Sequence, residues 1–223
     1  MRKSIVPTLA AALLLAGCAK EFPETPWSPA ESSQLQALAA QNDVDSRVEL
    51  GRLNFLHNHI DEADALLDQA VKENPQDMEA KAWHAANDCK IAGRAGPWLM
   101  GFDKLYGVWA CLSELKDAAA AAPDNFTVAM IQLSTDAEVN MFGSMARAVA
   151  TRDRLRKPIE AKPDAYTPSA KAAFFEGAAR LEELRGDLPA AAENLRRVVA
   201  LNADADSVAR AEAGLRQLAA AKP

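Results

Sequence analysis

Two distant stretches of the chain, residues 44–77 and 172–205, place small and large apolar residues in the same order. In each stretch the apolar residues recur at the three- and four-residue spacing of one helix face, which indicates two consecutive helices. Such a helix pair cannot bury its apolar face alone and must stack on further pairs. The chain beyond Pro29 is rich in good helix formers and shows no alternating strand pattern. We therefore predict an all-α body of stacked antiparallel helical hairpins.

The repeated pattern is carried by residues whose size alternates along each helix pair. In the first stretch these are Leu50, Gly51, Ala63, Leu67, Ala70 and Pro75, and in the second they are Phe175, Ala179, Gly186, Leu188, Ala191, Leu195 and Val198. On these positions the chain resembles the tetratricopeptide repeat (TPR) family. The resemblance implies a TPR-like α-solenoid whose concave face binds a peptide or another protein.

Several positions depart from the pattern of that family. Arg47 and Asn54 replace bulky residues, so we expect Phe55 to cover the gap, and Glu182 stands where a large apolar residue is usual. We expect Leu181 or Leu184 to fill that space. Local chemistry in the second stretch agrees with the pattern, because Gly186 suits a left-handed helix end and Asp187 a helix cap.

The middle of the chain has a weaker repeat signal, and we interpret it as irregular. The steps from Pro75 to Pro123, Pro163 and Ala203 are 48, 40 and 40 residues, longer than the family's period of about 34. Insertions are implied, the largest at residues 93–107, where Gly96-Pro97 breaks a helix. At the two ends, residues 30–41 and 207–220 are predicted to form N- and C-terminal capping helices.

An aromatic stripe follows the Gly96-Pro97 break at helical spacing. Its members are Trp98, Phe102, Leu105, Trp109 and Leu112. Residues spaced in this way usually face a neighbouring helix, so we expect the stripe to be core. The alternative is a ligand pocket or partner surface, for which Trp98, Phe102 and Trp109 are the candidates.

The N-terminus has the layout of a secretory signal, with Arg2 and Lys3 ahead of a short apolar run. The run ends in Leu15-Ala16-Gly17-Cys18, which resembles the lipobox of bacterial lipoproteins. The resemblance implies cleavage after residue 17, acylation of Cys18 with groups such as palmitate, and anchoring at the cell envelope. The resemblance also implies the periplasmic face of the outer membrane, because Ala19 stands where lipoproteins kept at the inner membrane of enterobacteria often carry Asp. We predict a signal peptide at 1–17, a proline-containing lipidated tether at 18–29 and a TPR-like domain at 30–223.

Neither the charge nor the motifs indicate an enzyme or a nucleic-acid-binding protein. The formal net charge is −6, whereas phosphate binding needs clustered Lys and Arg. His57, His59 and His84 lack further ligands at metal spacing, so we expect packed or solvated histidines and no metal site. Ser113, Ser134 and Ser144 lack a nucleophile context. We assign no catalytic residue and no cofactor, and we interpret adjacent acids such as Glu182 and Glu183 as a solvated helix face.

Cys89 and Cys111 remain once Cys18 is acylated, and an oxidising compartment would allow them to pair. A turn near Ala95 would place Cys89 opposite roughly residue 101, leaving Cys111 about 15 Å further along the helix. This geometry disfavours a disulfide, although the sequence leaves the pairing open.

The leading hypothesis for function is a non-enzymatic, envelope-anchored scaffold that binds an envelope protein or peptide. The alternative is a periplasmic small-ligand-binding component, because the chain also resembles TPR-like lipoproteins associated with solute transport. An open groove would favour the scaffold, whereas a closed apolar cavity near Trp98 and Trp109 would favour the small ligand.

Overall fold

The computed structural model of the chain describes residues 19–96 and 101–220, and these residues form ten α-helices and no strand. Cys18 and Trp98 lie outside the described residues. The helices are α1 (Pro29–Gln41), α2 (Val44–Leu56), α3 (Ile60–Glu73), α4 (Met78–Arg94), α5 (Phe102–Ala121), α6 (Phe126–Val139), α7 (Ser144–Ala161), α8 (Pro168–Arg185), α9 (Leu188–Leu201) and α10 (Ala205–Ala220). The predicted all-α class is confirmed.

The helices pack as four consecutive hairpins, α2–α3, α4–α5, α6–α7 and α8–α9. The first helices of the hairpins form an inner row, in which α4 contacts both α2 and α6, and α6 contacts α8. Because neighbouring helices are antiparallel, the helices of the inner row run in the same direction. The predicted stack of antiparallel hairpins is therefore confirmed, with α1 and α10 covering its ends.

Close approach at a glycine holds the first hairpin together. A Cβ atom on Gly51 would lie 2.5 Å from Leu67 Cγ, and the Leu67 side chain is fully buried. Only hydrogen at that position allows α2 and α3 to approach so closely. Phe55, which we expected to cover the position of Asn54, packs its ring 5.4 Å from that of Trp83 on α4.

The last hairpin has the packing and the caps that its sequence predicts. Ala179 and Ala191 are buried where α8 and α9 meet, and Phe175 and Leu195 are buried beside them. Gly186 ends α8 with a φ of 80°. Next to it, Asp187 accepts a hydrogen bond from the Ala190 N–H and so caps α9.

The middle of the chain is regular, so the prediction of an irregular stretch is wrong. It forms the α4–α5 and α6–α7 hairpins, whose helices of 17, 20, 14 and 18 residues account for much of the long proline spacing. The Gly96-Pro97 break is confirmed, since α4 ends at Arg94 and α5 begins at Phe102.

Glu182 is not on a solvated face, contrary to the sequence interpretation. Its side chain is buried on α8 and forms ion pairs with Arg152 of α7 and Arg185. Leu181 is fully buried and fills the apolar space, whereas Leu184 is 36% exposed. Two arginines thus compensate a carboxylate at a position that is usually apolar.

Cys89 and Cys111 form a disulfide with their Cα atoms 5.4 Å apart. The geometric objection to this pair was wrong because it placed the turn near Ala95. In the structure Ala92 of α4 lies opposite Gly107 of α5. A Cβ atom added to Gly107 would lie 3.0 Å from the Cβ of Ala92. This register brings residue 111, and not residue 101, beside Cys89.

The capping helices begin close to their predicted positions, at Pro29 and Ala205. Ser28 and Glu31 form a capping box at the start of α1. None of the helices in the described residues is both long enough and apolar enough to cross a membrane.

Candidate functional site

The inner row of helices borders a half-open groove of about 570 Å³. We call this feature the inner groove. Helices α2, α4, α5, α6 and α8 and the chain ahead of α1 contribute its walls. Its main apolar lining residues are Phe22, Phe55, Trp83, Val108, Ile131 and Val139.

Lys90 places a cation within this apolar lining. Its Nζ donates to the carbonyl oxygen of Phe55 at 2.6 Å and to Asn58 Oδ1 at 2.7 Å, and it lies 3.7 Å from the centroid of the Phe55 ring. Burial lowers the pKa of Lys90 to about 8, and repulsion from Lys20 adds to the effect. The inner groove therefore contains an amine that is partly neutral at mildly alkaline pH.

Opposite charges meet where the inner groove reaches the end of α6. Glu138 accepts a 2.6 Å hydrogen bond from Arg180 of α8, and its second oxygen lies 3.5 Å from Lys20 Nζ. Burial acts to raise the pKa of Glu138, but the hydrogen bond and charge of Arg180 outweigh it and hold the pKa below its usual value. Glu138 is therefore an ionised partner for two cations.

Residues 19–28, which we call the N-terminal strap, fall within the predicted tether and lie against the helices. The Lys20 N–H donates to the Gly93 carbonyl and the Thr25 N–H to the His57 carbonyl, both at 2.9 Å. Asn58 Nδ2 donates to the Pro23 carbonyl at 2.8 Å. The strap is therefore held mainly through backbone groups, with the Phe22 side chain in the lining of the inner groove.

Trp27 packs on two histidines. Its ring stacks 3.9 Å from that of His57 and 5.0 Å from that of His59, on either side of the α2–α3 turn. His57 also contacts Glu31 Oε1 at 3.0 Å. Both histidines are therefore packed residues, as predicted.

The aromatic residues predicted to be core are largely exposed. Phe102, Leu105 and Trp109 lie on the outer side of α5 with much of their surface free, and only Leu112 of the described stripe is buried. The core interpretation is therefore wrong for three of the four described residues, because α5 turns this face away from α4. Trp109 borders a shallow outer pocket, separate from the inner groove, together with Met78, Lys81 and Glu114.

His84 has carboxylate neighbours that sequence spacing did not identify. Ligand atoms of Asp64, His84 and Asp88 all lie within 4.8 Å of one another. His84 Nδ1 is 3.2 Å from Glu114 Oε1, and this contact, with further carboxylates nearby, raises the pKa of His84. Within residues 19–96 and 101–220, Asp64, His84 and Asp88 form the group whose geometry could hold a metal ion. The His84–Asp88 spacing of four residues was the one sequence signal for the cluster.

The three serines considered above occupy different environments. Ser134 lines the inner groove, Ser113 borders the outer pocket, and the Ser144 hydroxyl is buried, where it accepts a hydrogen bond from the Met141 N–H. The structure does not bring them together. Lys90, Glu138 and Arg180 were missed by sequence reasoning because they belong to different hairpins and form no local motif.

Comparison with known proteins returns one similar solved structure. No family model and no curated protein matches the chain. The similar structure is that of a thermophilic TPR protein from Thermus thermophilus, with 21% sequence identity, covering 78% of this chain and 100% of that chain at a TM-score of 0.37.

Proposed function

We propose that this chain is an envelope-anchored lipoprotein that acts as a non-enzymatic protein-interaction scaffold. In this proposal the inner groove binds an extended segment of another envelope protein. The half-open shape of the groove supports this function, because a polypeptide can enter along its length without a closed cavity around it.

The observation that carries the proposal is the binding of the N-terminal strap. The strap is a non-helical segment of the chain, held at the border of the inner groove through its backbone. Its N–H groups donate to the Gly93 and His57 carbonyls, and its Pro23 carbonyl accepts from the Asn58 side chain. Backbone recognition of this kind supplies affinity for an extended peptide, and side-chain pockets supply specificity. Phe22 exemplifies such a side chain, since it lies in the groove lining.

Site-specific photocrosslinking in intact cells tests the scaffold. Ser134 is exposed and lines the inner groove, so a photoreactive amino acid at this position should capture a defined protein. The matched control carries the same amino acid at Lys116, an exposed position on the outer helix α5. Capture of the same proteins from both positions, or of none from Ser134, would contradict the proposal.

The anchored part of the proposal concerns Cys18, acylated after removal of residues 1–17 and held at the periplasmic face of the outer membrane. The Cys89–Cys111 disulfide supports export, because such bonds persist in oxidising compartments. Labelling cells with a palmitate analogue should mark the wild-type protein and leave Cys18→Ser unmarked. Labelled protein should float with outer-membrane fractions, and an unlabelled wild-type protein would refute the anchor.

A small-ligand role in solute transport is the second candidate. Its support is the size of the inner groove, since about 570 Å³ lies within the range of small-molecule sites. Native mass spectrometry of the protein purified from its own cells should show a small adduct that is lost in Trp83→Ala if this role is correct. An adduct-free protein, together with capture of a protein from Ser134, would favour the scaffold.

A further inference from the structure

The large hydrophobic side chains that are exposed in the described residues all lie at one edge of the helical stack. We call it the hairpin edge, where α2, α4, α6 and α8 end and the second helix of each hairpin begins. The side chains concerned are Leu56, Phe102, Leu105, Tyr106, Trp109, Met141, Phe142 and Leu184. Such a one-sided distribution of exposed apolar surface marks an interaction surface.

The opposite edge of the stack has a different character. There the connections between hairpins, residues 74–77, 122–125 and 162–167, consist mainly of Pro, Asp, Asn and other polar residues. Tyr166, the aromatic residue in these connections, packs 5.8 Å from the ring of Phe126 and is partly buried. The stack therefore has one apolar edge and one polar edge.

The N-terminal strap enters the molecule at the hairpin edge. The backbone of Lys20 is bonded to Gly93 at the end of α4, and its side chain reaches Glu138 at the end of α6. Cys18 lies two residues earlier in the chain, and two extended residues span at most about 7 Å. A lipid on Cys18 would therefore emerge beside the exposed apolar side chains.

The most exposed of these side chains are suited to the surface of a bilayer. Phe102, Tyr106 and Trp109 are 64%, 67% and 52% exposed and occupy the first two turns of α5. Tyr and Trp are enriched where membranes meet water, because each combines an apolar ring with a polar group. The stretch from residue 102 to residue 109 is about 11 Å long, which is close to the depth of about 5–10 Å that interfacial helices bury.

We propose that the hairpin edge rests in the headgroup region of a phospholipid bilayer, with the start of α5 as the main contact. The lipid anchor then holds the chain at the membrane, and the aromatic contact orients the stack with its polar edge away from it. This inference rests on the anchored part of the proposed function and is independent of what the inner groove binds.

Quenching by brominated lipids tests the contact directly. The acylated full-length mature protein is reconstituted into vesicles of phosphatidylethanolamine and phosphatidylglycerol that contain a phospholipid brominated near the headgroup. The measurement is made in a Trp98→Phe background, because Trp98 stands four residues ahead of α5 and would be quenched as well. We expect the bromine atoms to quench tryptophan emission in this background, and the further change Trp109→Phe to remove most of that quenching. Trp83→Phe is the matched control, since Trp83 packs on Phe55 inside the stack and its loss should leave the quenched fraction unchanged.

A second pair of variants adds the same charge at the two edges. Tyr106→Glu should reduce the quenching of Trp109, because a carboxylate in the headgroup region is costly to desolvate. Gln76→Glu, at the polar edge, should have no effect. In the Trp98→Phe background, equal quenching with Trp109 and with Trp109→Phe would overturn the inference, as would a crosslinked dimer formed through the α5 face. Mass spectrometry of the same samples shows whether Cys18 is acylated, and flotation shows whether the protein is bound to the vesicles. A protein without the lipid anchor is therefore distinguished from an anchored protein whose hairpin edge does not touch the bilayer.

Discussion

At the scale of single residues, two positions have a role that depends on what lies opposite them. Gly51 allows α2 to approach Leu67, and Lys90 carries its charge within an aromatic lining. The sequence singled out Gly51, because it occupies a small position in the repeated pattern of small and large residues. It did not single out Lys90, because the surroundings of Lys90 come from α2 and the N-terminal strap.

Replacing Gly51 by alanine should destabilise the protein. The new methyl group would meet the fully buried Leu67 at 2.5 Å, at a cost of about 1–3 kcal/mol. Higher helix propensity returns up to about 1 kcal/mol, so the clash dominates. Urea unfolding measures the change in the free energy of unfolding. Gly96→Ala is the control, because nothing lies within 4 Å of the Cβ that alanine would add there. Equal stability of the two variants would contradict a close approach of α2 and α3 at Gly51.

Lys90 should lose its proton near pH 8, because burial and the nearby Lys20 disfavour the ammonium. A ¹³C NMR titration of the lysine Cε signals, assigned with Lys90→Arg, measures the midpoint. An unfolded lysine keeps its proton up to about pH 10.4. Between about pH 8 and pH 10.4 the unfolded chain therefore binds more protons than the folded chain. The stability of the wild type relative to Lys90→Gln should therefore rise from pH 8 to pH 10. A midpoint above pH 10 would show that the amine is well solvated.

At the scale of elements, the α4–α5 hairpin differs most from its prediction. The sequence located both its helical periodicity and its break at Gly96-Pro97, but not the register of one helix against the other. The sequence prediction aligned α4 and α5 by assuming a turn at Ala95. This alignment gave the wrong residue opposite Cys89, and Trp109 was wrongly expected to face a neighbouring helix. Periodicity shows which residues share a helix face, whereas only packing shows which way that face points.

The disulfide should contribute substantially to stability, because it joins positions 22 residues apart across two long helices. Closing a loop of that length stabilises a fold by about 3 kcal/mol. Without reductant, the intact protein should have a mass lower by two hydrogen atoms than the reduced protein. Reduction should lower the urea concentration at which half of the protein is unfolded. A Cys89→Ser, Cys111→Ser double variant is the control and should not respond to reductant. Free thiols in the untreated protein would exclude the bond.

At the scale of the whole molecule, the stack is unequally buried from end to end. Helix α1 has no buried residue and α10 has two, whereas α6 at the centre has eight. In a repeat array each element is stabilised by its neighbours alone, so end helices open more easily than central ones.

Amide hydrogen exchange should therefore follow position in the stack. We expect protection in α1 to be at least about 100-fold lower than in α6, with α10 between them. Exchange at neutral pH followed by mass spectrometry of peptides measures the gradient. Residues of the N-terminal strap that donate to Gly93 and His57 should be protected above the level of free chain. Uniform protection from α1 to α10 would indicate a single cooperative unit instead.

The amino-acid sequence alone determined that the described chain is helical, where the two end helices begin, where α8 ends and α9 begins, and how the first and last hairpins pack. These properties depend on neighbours within a few residues, such as the glycine and aspartate at the end of α8 or the small residues where helices cross. Tertiary structure alone decided the disulfide, the docking of the N-terminal strap, the cation in the inner groove and the single apolar edge. Each of these brings together residues from different helices or from the N-terminal strap. Their proximity depends on helix register within a hairpin and on the stacking of hairpins, which no local pattern encodes.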